Sequence, residues 1–226
     1  MICREVRETL VSMADLRYKS FHSRLMPTVS PDKIIGIQVP RLRAFAKTLK
    51  DHPALPEFLQ DLPHQYYEED NLQAILICGI RDYDLCIKEV QRFLPFVDNW
   101  ATCDLLRPRC FRSRRPELLK EIPVWLKSEK TYVIRFGLEM LMVHFLQEDF
   151  SPEYLLLAAE MDSEEYYVNM MEAWYFATAL ALQWESALPY VEQRLLPPTV
   201  HRMTVQKALE SFRIPQERKK YLKTLK

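Results

Sequence analysis

Residues 131–161 read TYVIRFGLEMLMVHFLQEDFSPEYLLLAAEM, and this stretch decides the fold. Apolar residues recur in it at the i, i+3, i+4 and i+7 spacing of an α-helix, on both sides of a break at Pro152. It contains no run of alternating β-branched residues of the kind that marks a strand. The stretch therefore predicts two helices, at about 131–145 and 151–161, that form a pair.

The same two-helix pattern recurs along most of the chain. It predicts further pairs at 66–82 with 84–94, 98–106 with 116–127, 165–182 with 184–194, and 199–212 with 214–225. The first helices of these pairs begin about every 33 residues, which is the period of stacked two-helix repeats. Because a single repeat cannot bury its own apolar face, neighbouring repeats must stack. We therefore expect an all-α protein, a HEAT-like helical-repeat solenoid (an α-α superhelix of the armadillo type) with a concave face.

The first sixty residues differ from the repeats. Residues 1–60 predict a helical cap on the array, with a turn around Val29 to Lys33 and a helix from about Val39. Stacked helical pairs would then occupy residues 66–226. A chain of 226 residues is long enough for one sizeable core, so we expect a single domain that spans residues 1–226.

Composition excludes several classes of protein. Gly36, Gly79 and Gly137 are the only glycines and lie far apart, so no glycine-rich phosphate loop can form, and nucleotide binding of the P-loop or Rossmann kind is excluded. The five cysteines include no C-x-x-C pair, which favours a reduced, cytoplasmic setting. The first ten residues, MICREVRETL, lack the apolar stretch of a signal peptide, and the most apolar window, 174–184, is too short for a membrane span. No cofactor and no metal ligand set is expected.

The formal net charge of zero conceals an uneven distribution of charged residues. Residues 1–135 carry 22 Lys/Arg and 18 Asp/Glu, residues 136–193 carry none and 11, and residues 194–226 carry 9 and 2. A uniformly basic nucleic-acid binder does not have this pattern. A polyanionic partner would have to meet the N-terminal half, the C-terminus or one arginine cluster. That cluster consists of Arg107, Arg109, Arg112, Arg114 and Arg115.

In a solenoid, one helix of each pair lines the concave surface, and the first helices carry the residues that could form a site. The segment DNWATCD predicts a helix that is capped by Asp98 and places Trp100 and Asp104 on one face. Arg135 and Trp174 lie in the first helices of the next two repeats. A carboxylate can stabilise a developing cation, an arginine suits a phosphate, and indole faces attract positive charge. Together they would suit cleavage of the bond between a deoxyribose and a positively charged base.

At these residues the chain resembles a known family, the HEAT-like-repeat DNA alkylation repair proteins, that is, the alkylpurine DNA glycosylases of the AlkD type. Residues 35–40, IGIQVP, are similar to the family's N-terminal L-G-I-Q-T-P stretch. Trp100-x-x-x-Asp104 matches the family's W-x-x-x-D, and Arg135 and Trp174 match the arginine and the tryptophan of the two following repeats.

The resemblance implies a role for each of these residues. Asp104 would support the sugar cation and a water nucleophile, while Trp100 and Trp174 would pack against the deoxyribose of the lesion. Arg135 would contact the backbone phosphate, and Gln38 would approach the DNA from the N-terminal side. The implied function is a monomeric DNA-repair N-glycosylase that hydrolyses the glycosidic bond of cationic alkylated purines in duplex DNA, such as 3-methyladenine and 7-methylguanine, without metal or cofactor.

A second interpretation is a non-catalytic HEAT-like module that binds branched or damaged nucleic acid, or a protein, through the same face. It draws on one departure from the family: the glycosylases carry basic residues beside the second tryptophan, whereas this chain has Met170 and Ala177 in an acidic stretch. Phosphate neutralisation supplies much of DNA affinity.

Trp174, Arg135 and the acidic run at 68–70 each have a simple structural interpretation. Taken alone, Trp174 is more typical of a core residue, because its helix is apolar on most sides. Arg135 could snorkel or pair with Glu139. The acidic run at 68–70 is typical of favourable charge at a helix N-terminus.

Overall fold

The computed structural model describes residues 2–226, and within this range every regular element is a helix, which confirms the all-α class. The chain divides into two compact units, Met1–Arg114 and Arg115–Lys226. The single domain and the solenoid expected from the sequence stay predictions. No helix within residues 2–226 has the length and apolar composition that a membrane span requires.

The first unit contains seven α-helices among its described residues, with the helix predicted from Val39 in third place. They are α1 (Ile2–Ser12), α2 (Leu16–Ser23), α3 (Val39–Leu49), α4 (Leu55–Gln60), α5 (Tyr67–Cys78), α6 (Tyr83–Phe93) and α7 (Trp100–Leu105). Two short 3-10 helices, Pro31–Lys33 and Leu94–Phe96, lie between these helices, and a third, Arg109–Ser113, follows α7. The predicted turn around Val29 to Lys33 coincides with the first of these.

The second unit contains the remaining helices that the repeat pattern predicts. They are α8 (Arg115–Leu126), α9 (Thr131–Phe145), α10 (Glu153–Ala159), α11 (Tyr166–Leu182), α12 (Trp184–Glu192), α13 (Pro198–Glu210) and α14 (Gln216–Thr224). Every helix predicted from residue 66 onward thus has an observed counterpart, and the differences are confined to the ends.

Two long apolar helices form the core of the second unit. α11 packs against α9 on one side and α13 on the other, while α8 packs on α9 and α12 on α11. Most residues of α9 and α11 are buried, as expected of helices that are apolar on nearly every side. Gly137 of α9 allows the close approach of α8, because a Cβ atom there would lie 3.0 Å from Leu126 Cδ2 and 3.1 Å from Trp125 Cβ.

The first unit is organised around a buried carboxylate. Glu68 of α5 is fully buried and accepts hydrogen bonds from the backbone N–H groups of Ile35, Gly36 and Ile37, at 2.8, 2.7 and 3.2 Å. Gly36 has a φ of +96°, and a Cβ atom there would lie 2.5 Å from the carbonyl oxygen of Asp15. Only glycine adopts this conformation in this space without strain. Glu68 therefore holds the irregular segment that leads into α3.

The acidic run at 68–70 was predicted to be favourable charge at a helix N-terminus, and the structure confirms this only in part. Glu69 does cap α5, because its Oε2 atom accepts from the N–H groups of Gln65 and Tyr66, and its Oε1 atom pairs with Arg7 at 3.1 Å. Glu68 is instead an internal acceptor, and burial raises its pKa against the opposing effect of the three backbone N–H groups. The interpretation of Glu68 as simple helix-terminal charge was wrong.

We predict that Glu68→Ala destabilises the protein strongly. The substitution leaves three buried N–H groups without an acceptor, and each such group costs about 1–3 kcal/mol, so the free energy of unfolding should fall by about 3 kcal/mol or more. Urea denaturation followed by circular dichroism measures the change. Glu8→Ala, which removes an exposed partner of Arg4, is the control and should leave the midpoint nearly unchanged. Equal midpoints for the two variants would contradict the role of Glu68.

Candidate functional site

The helix that carries Trp100 and Asp104 has its N-cap one residue later than predicted. Asn99 is its N-cap, with an extended backbone and a side-chain oxygen that accepts from the N–H of Thr102 at 2.8 Å. The prediction that Asp98 caps this helix was wrong, because Asp98 lies outside it and accepts a hydrogen bond from the Asn99 side chain at 2.9 Å. Thr102 also bonds through its hydroxyl to Asn71 of α5, at 2.8 Å. These bonds fix the helix from two sides.

Trp100 is held in a defined orientation. Its indole Nε1–H donates to the carbonyl oxygen of Leu25 at 3.1 Å, and its ring packs against a cluster that includes Met26, Ile34 and Tyr67. The side chain is half-buried, so part of the ring still faces solvent. Asp104, one helical turn further on, is also half-buried. The structure thus places Trp100 and Asp104 on one face of α7, as the i, i+4 spacing predicts.

Arg135 lies inside the second unit rather than at its surface. Only 4% of the residue is exposed, and its Nη1 atom donates to the carbonyl oxygen of Tyr167, at 2.9 Å. It therefore does not snorkel. The bond joins α9 to the first turn of α11, so Arg135 helps to position the helix that carries Trp174.

Trp174 is 36% exposed, so the interpretation of this residue as part of the core was wrong. Its neighbours Tyr175 and Phe176 are fully buried and occupy the inner side of α11 instead. The Nζ atom of Lys207, on α13, lies 5.9 Å from the centroid of the indole ring. This distance is typical of a cation–π contact. The basic group that α11 itself lacks beside its tryptophan is thus supplied by the neighbouring helix, a contact that no sequence spacing indicates.

The candidate site residues are divided between the two units. Trp100 and Asp104 share one helix of the first unit, and Arg135 and Trp174 lie on adjacent helices of the second. That all four line one surface stays a prediction.

The remaining candidates are at the surface of their units. Gln38 is exposed at the start of α3, where its carbonyl oxygen accepts from the N–H of Arg41 at 2.9 Å. In the arginine cluster, Arg107, Arg109, Arg112 and Arg114 are exposed.

Two arginines of the cluster, Arg114 and Arg115, contact other side chains of the protein. Arg114 lies over the ring of Tyr83, with its Cζ atom 5.1 Å from the centroid. Arg115 belongs to the second unit, where it is half-buried and forms ion pairs with Asp149 and Glu148. Four of the five arginines are therefore presented to solvent by the first unit, and the fifth is paired with two acids of the second unit.

A buried acid two positions before Trp174 was missed by the sequence analysis. Glu172 is fully buried, and neither of its carboxylate oxygens has a hydrogen-bond partner within residues 2–226. Burial raises its pKa to about 8, so the side chain is largely protonated at neutral pH. The available signal was a single acid in a helix that is otherwise apolar on nearly every side.

One comparison with known proteins gives a match. A family model described as DNA alkylation repair enzyme matches residues 6–212, a range that includes every candidate site residue named above. A search of the curated proteins found no match.

We predict that Glu172 makes the second unit less stable as the pH rises. In the unfolded chain a glutamate ionises near its model value of 4.5, whereas in the folded chain this one stays protonated up to about pH 8. The unfolded state therefore binds fewer protons between these values, and stability falls by about 1.4 kcal/mol per pH unit within that window. Glu172→Gln should remove this dependence, so that its Tm exceeds that of the wild type at pH 7.5 and approaches it near pH 4.5.

Thermal unfolding of both proteins from pH 4.5 to 8 tests this expectation. Glu185→Gln, an exposed glutamate of the same unit, is the matched control and should follow the wild-type curve. Parallel curves for the wild type and Glu172→Gln would show that the buried carboxyl group does not titrate in this range.

Proposed function

This chain belongs to the DNA alkylation repair enzyme family, and from that membership we propose that it is an AlkD-type DNA-repair N-glycosylase that acts on cationic alkylated purines in duplex DNA. The observation that carries the proposal is the Trp100–Asp104 pair on α7, which coincides with the family's W-x-x-x-D. Its tryptophan is oriented by the Leu25 carbonyl, and its carboxylate lies on the same face of the helix.

The proposed reaction needs only groups that the chain contains. A purine alkylated at N3 or N7 carries a positive charge, and the electron pair of the breaking C1′–N9 bond neutralises it as the base departs. The sugar is left as an oxocarbenium ion, which the negative charge of Asp104 stabilises more than the ground state. A water molecule then adds to C1′, and its proton passes to Asp104 and on to solvent. The flat face of Trp100 packs against the deoxyribose.

The second unit carries the other two candidate residues, Arg135 and Trp174. The first helices of its repeats, α9, α11 and α13, pack side by side, which supports a HEAT-like solenoid in which Trp174 faces the DNA. Arg135, which is buried and bonded to the carbonyl oxygen of Tyr167, would act from beneath this surface by holding the first turn of α11 in place. The ammonium group of Lys207 would supply positive charge beside Trp174, whose own stretch of chain, residues 136–193, carries acids but no lysine or arginine.

Affinity for DNA depends in this proposal on the exposed arginines of the first unit. We predict that Arg109→Ser with Arg112→Ser weakens binding to a duplex and reduces the slope of log Kobs against log salt by about 1.8, since each lost phosphate contact removes about 0.9. Fluorescence anisotropy at several salt concentrations measures both quantities.

The control for this pair is Arg92→Ser, which removes an arginine of the same unit that is already paired with Glu89 at 2.9 Å. Its salt slope should match that of the wild type. An unchanged slope for the double variant would remove the arginine cluster from the interface.

Catalysis is tested by Asp104→Asn, which keeps size and hydrogen bonding and removes only the charge. Loss of a preorganised electrostatic group of this kind slows a reaction by roughly 10²–10³-fold. Release of 7-methylguanine or 3-methyladenine from methylated duplex DNA should fall by that factor, while duplex binding and Tm stay at the wild-type values.

Asp98→Asn, an exposed acid just before the same helix, is the control and should excise at the wild-type rate. Equal rates for Asp104→Asn and the wild type would remove Asp104 from catalysis. Failure of the wild type to excise any alkylated base, with duplex binding intact, would favour the non-catalytic binding module.

A further inference from the structure

Helix α2 presents an outer face that the first unit does not cover. None of its eight residues is buried, and its large apolar side chains point outward, with Leu16 78% and Phe21 60% exposed. Leu25, just after the helix, is 46% exposed. Helices of this length are normally stabilised by burying an apolar face. Because α2 exposes its leucine and phenylalanine, other contacts must stabilise it.

Polar and aromatic contacts on the inner side hold α2 in place. The side chain of Asp15 caps it by accepting from the N–H groups of Arg17 and Tyr18, at 2.9 and 3.0 Å. The ring of His22 stacks on that of Tyr18, with centroids 5.2 Å apart, and its Nε2 atom hydrogen-bonds the hydroxyl of Tyr67 at 2.9 Å. The helix is thus anchored from one side, and its outer face is presented in a fixed orientation.

The outer face carries positive charge around an aromatic ring. Positions 17, 21 and 24 lie on one face of a helix, which brings Arg17, Phe21 and Arg24 into a single stripe. Both arginines are exposed, and neither guanidinium group has an ion-pair partner among the described residues. The helix itself, LRYKSFHS, contains no acid. About 10 Å of helix separates the two arginine Cα atoms, so their side chains can reach different phosphates.

We propose that the Arg17–Phe21–Arg24 face of α2 is a second contact surface for duplex DNA, in which the arginines bind backbone phosphates and Phe21 packs against the sugars between them. Two observations favour this occupant. Unpaired arginines around an exposed aromatic ring complement a polyanion that has apolar sugar edges. The face is also continuous with the proposed reaction site, because the carbonyl oxygen of Leu25 accepts the indole hydrogen bond of Trp100. The inference rests on the proposed function, since it extends the duplex bound at Trp100.

The test is binding of an unmodified duplex by Arg17→Gln with Arg24→Gln, measured by fluorescence anisotropy between 50 and 200 mM salt. Two lost phosphate contacts should weaken binding and reduce the slope of log Kobs against log salt by about 1.8. Phe21→Ala should weaken binding without changing the slope, because it removes no charge. Far-UV circular dichroism checks that each variant keeps its helices.

The matched control is Arg4→Gln with Lys50→Gln, which removes two exposed cations of the same unit that lie outside α2. Its slope should equal that of the wild type. The inference is overturned if the two double variants lose the same slope, since the effect would then be one of general charge, or if the α2 variant keeps the wild-type slope.

The remaining outcomes separate this inference from the proposed function and from other occupants. If the wild type excises alkylated bases and binds duplex, while the α2 variant keeps the wild-type salt slope, only the inference is overturned. A wild-type chain that binds no duplex at any salt concentration overturns both. The duplex is also the wrong occupant if Phe21→Ala abolishes self-association in sedimentation, or if Arg17→Gln with Arg24→Gln abolishes flotation with phosphatidylglycerol vesicles, while duplex binding is unaltered.

Discussion

The carboxylate of Glu68 is the interaction on which the first unit depends. The segment from Ile34 to Ile37 is buried without belonging to a helix, so its N–H groups need an acceptor from elsewhere. Glu68 provides one for three of them, and the segment in turn accepts, through Gly36, from the N–H of Asp15 at 3.0 Å. Asp15 caps α2, and Gln38 starts α3. One buried side chain therefore sets where two helices begin.

The packing position of the Trp100 ring depends on the same buried segment. Ile34, next to the bonded segment, belongs with Met26, Val29 and Tyr67 to the small apolar cluster against which the indole packs.

In the second unit, the residues around Trp174 include a buried acid. Among residues 2–226, Glu172, two positions earlier, is buried with no hydrogen-bond partner, and a buried polar group of this kind costs stability. Destabilising groups that persist beside a candidate site are often functional, so Glu172 marks this part of α11 as more than a packing element.

The helices were predictable because an apolar period of 3.6 residues and proline breaks are local signals. The side chains that form the candidate site were predictable only in part. Trp100 and Asp104 share a face because both lie within one turn of one helix. The exposure of Trp174 was not predictable, since a helix that is apolar on nearly every side gives no indication of which face is outward. Contacts between distant segments, such as Glu68 with Gly36 or Lys207 with Trp174, leave no pattern in the spacing of residues.

The distribution of charge limits how a duplex could be bound by a chain with no net charge. Residues 136–193 contain 11 acids and no lysine or arginine, so this stretch repels phosphates wherever its carboxylates are exposed and ionised. Attraction must then come from the cations on either side of this stretch, which include those of α2, the arginines at 107–114 and Lys207. Such an arrangement gives modest affinity but strong orientation, because the duplex can gain phosphate contacts in few poses. In the proposed reaction the substrate already carries a positive charge, so ionised carboxylates of this stretch near the lesion would favour the cationic base over the neutral bases of undamaged DNA.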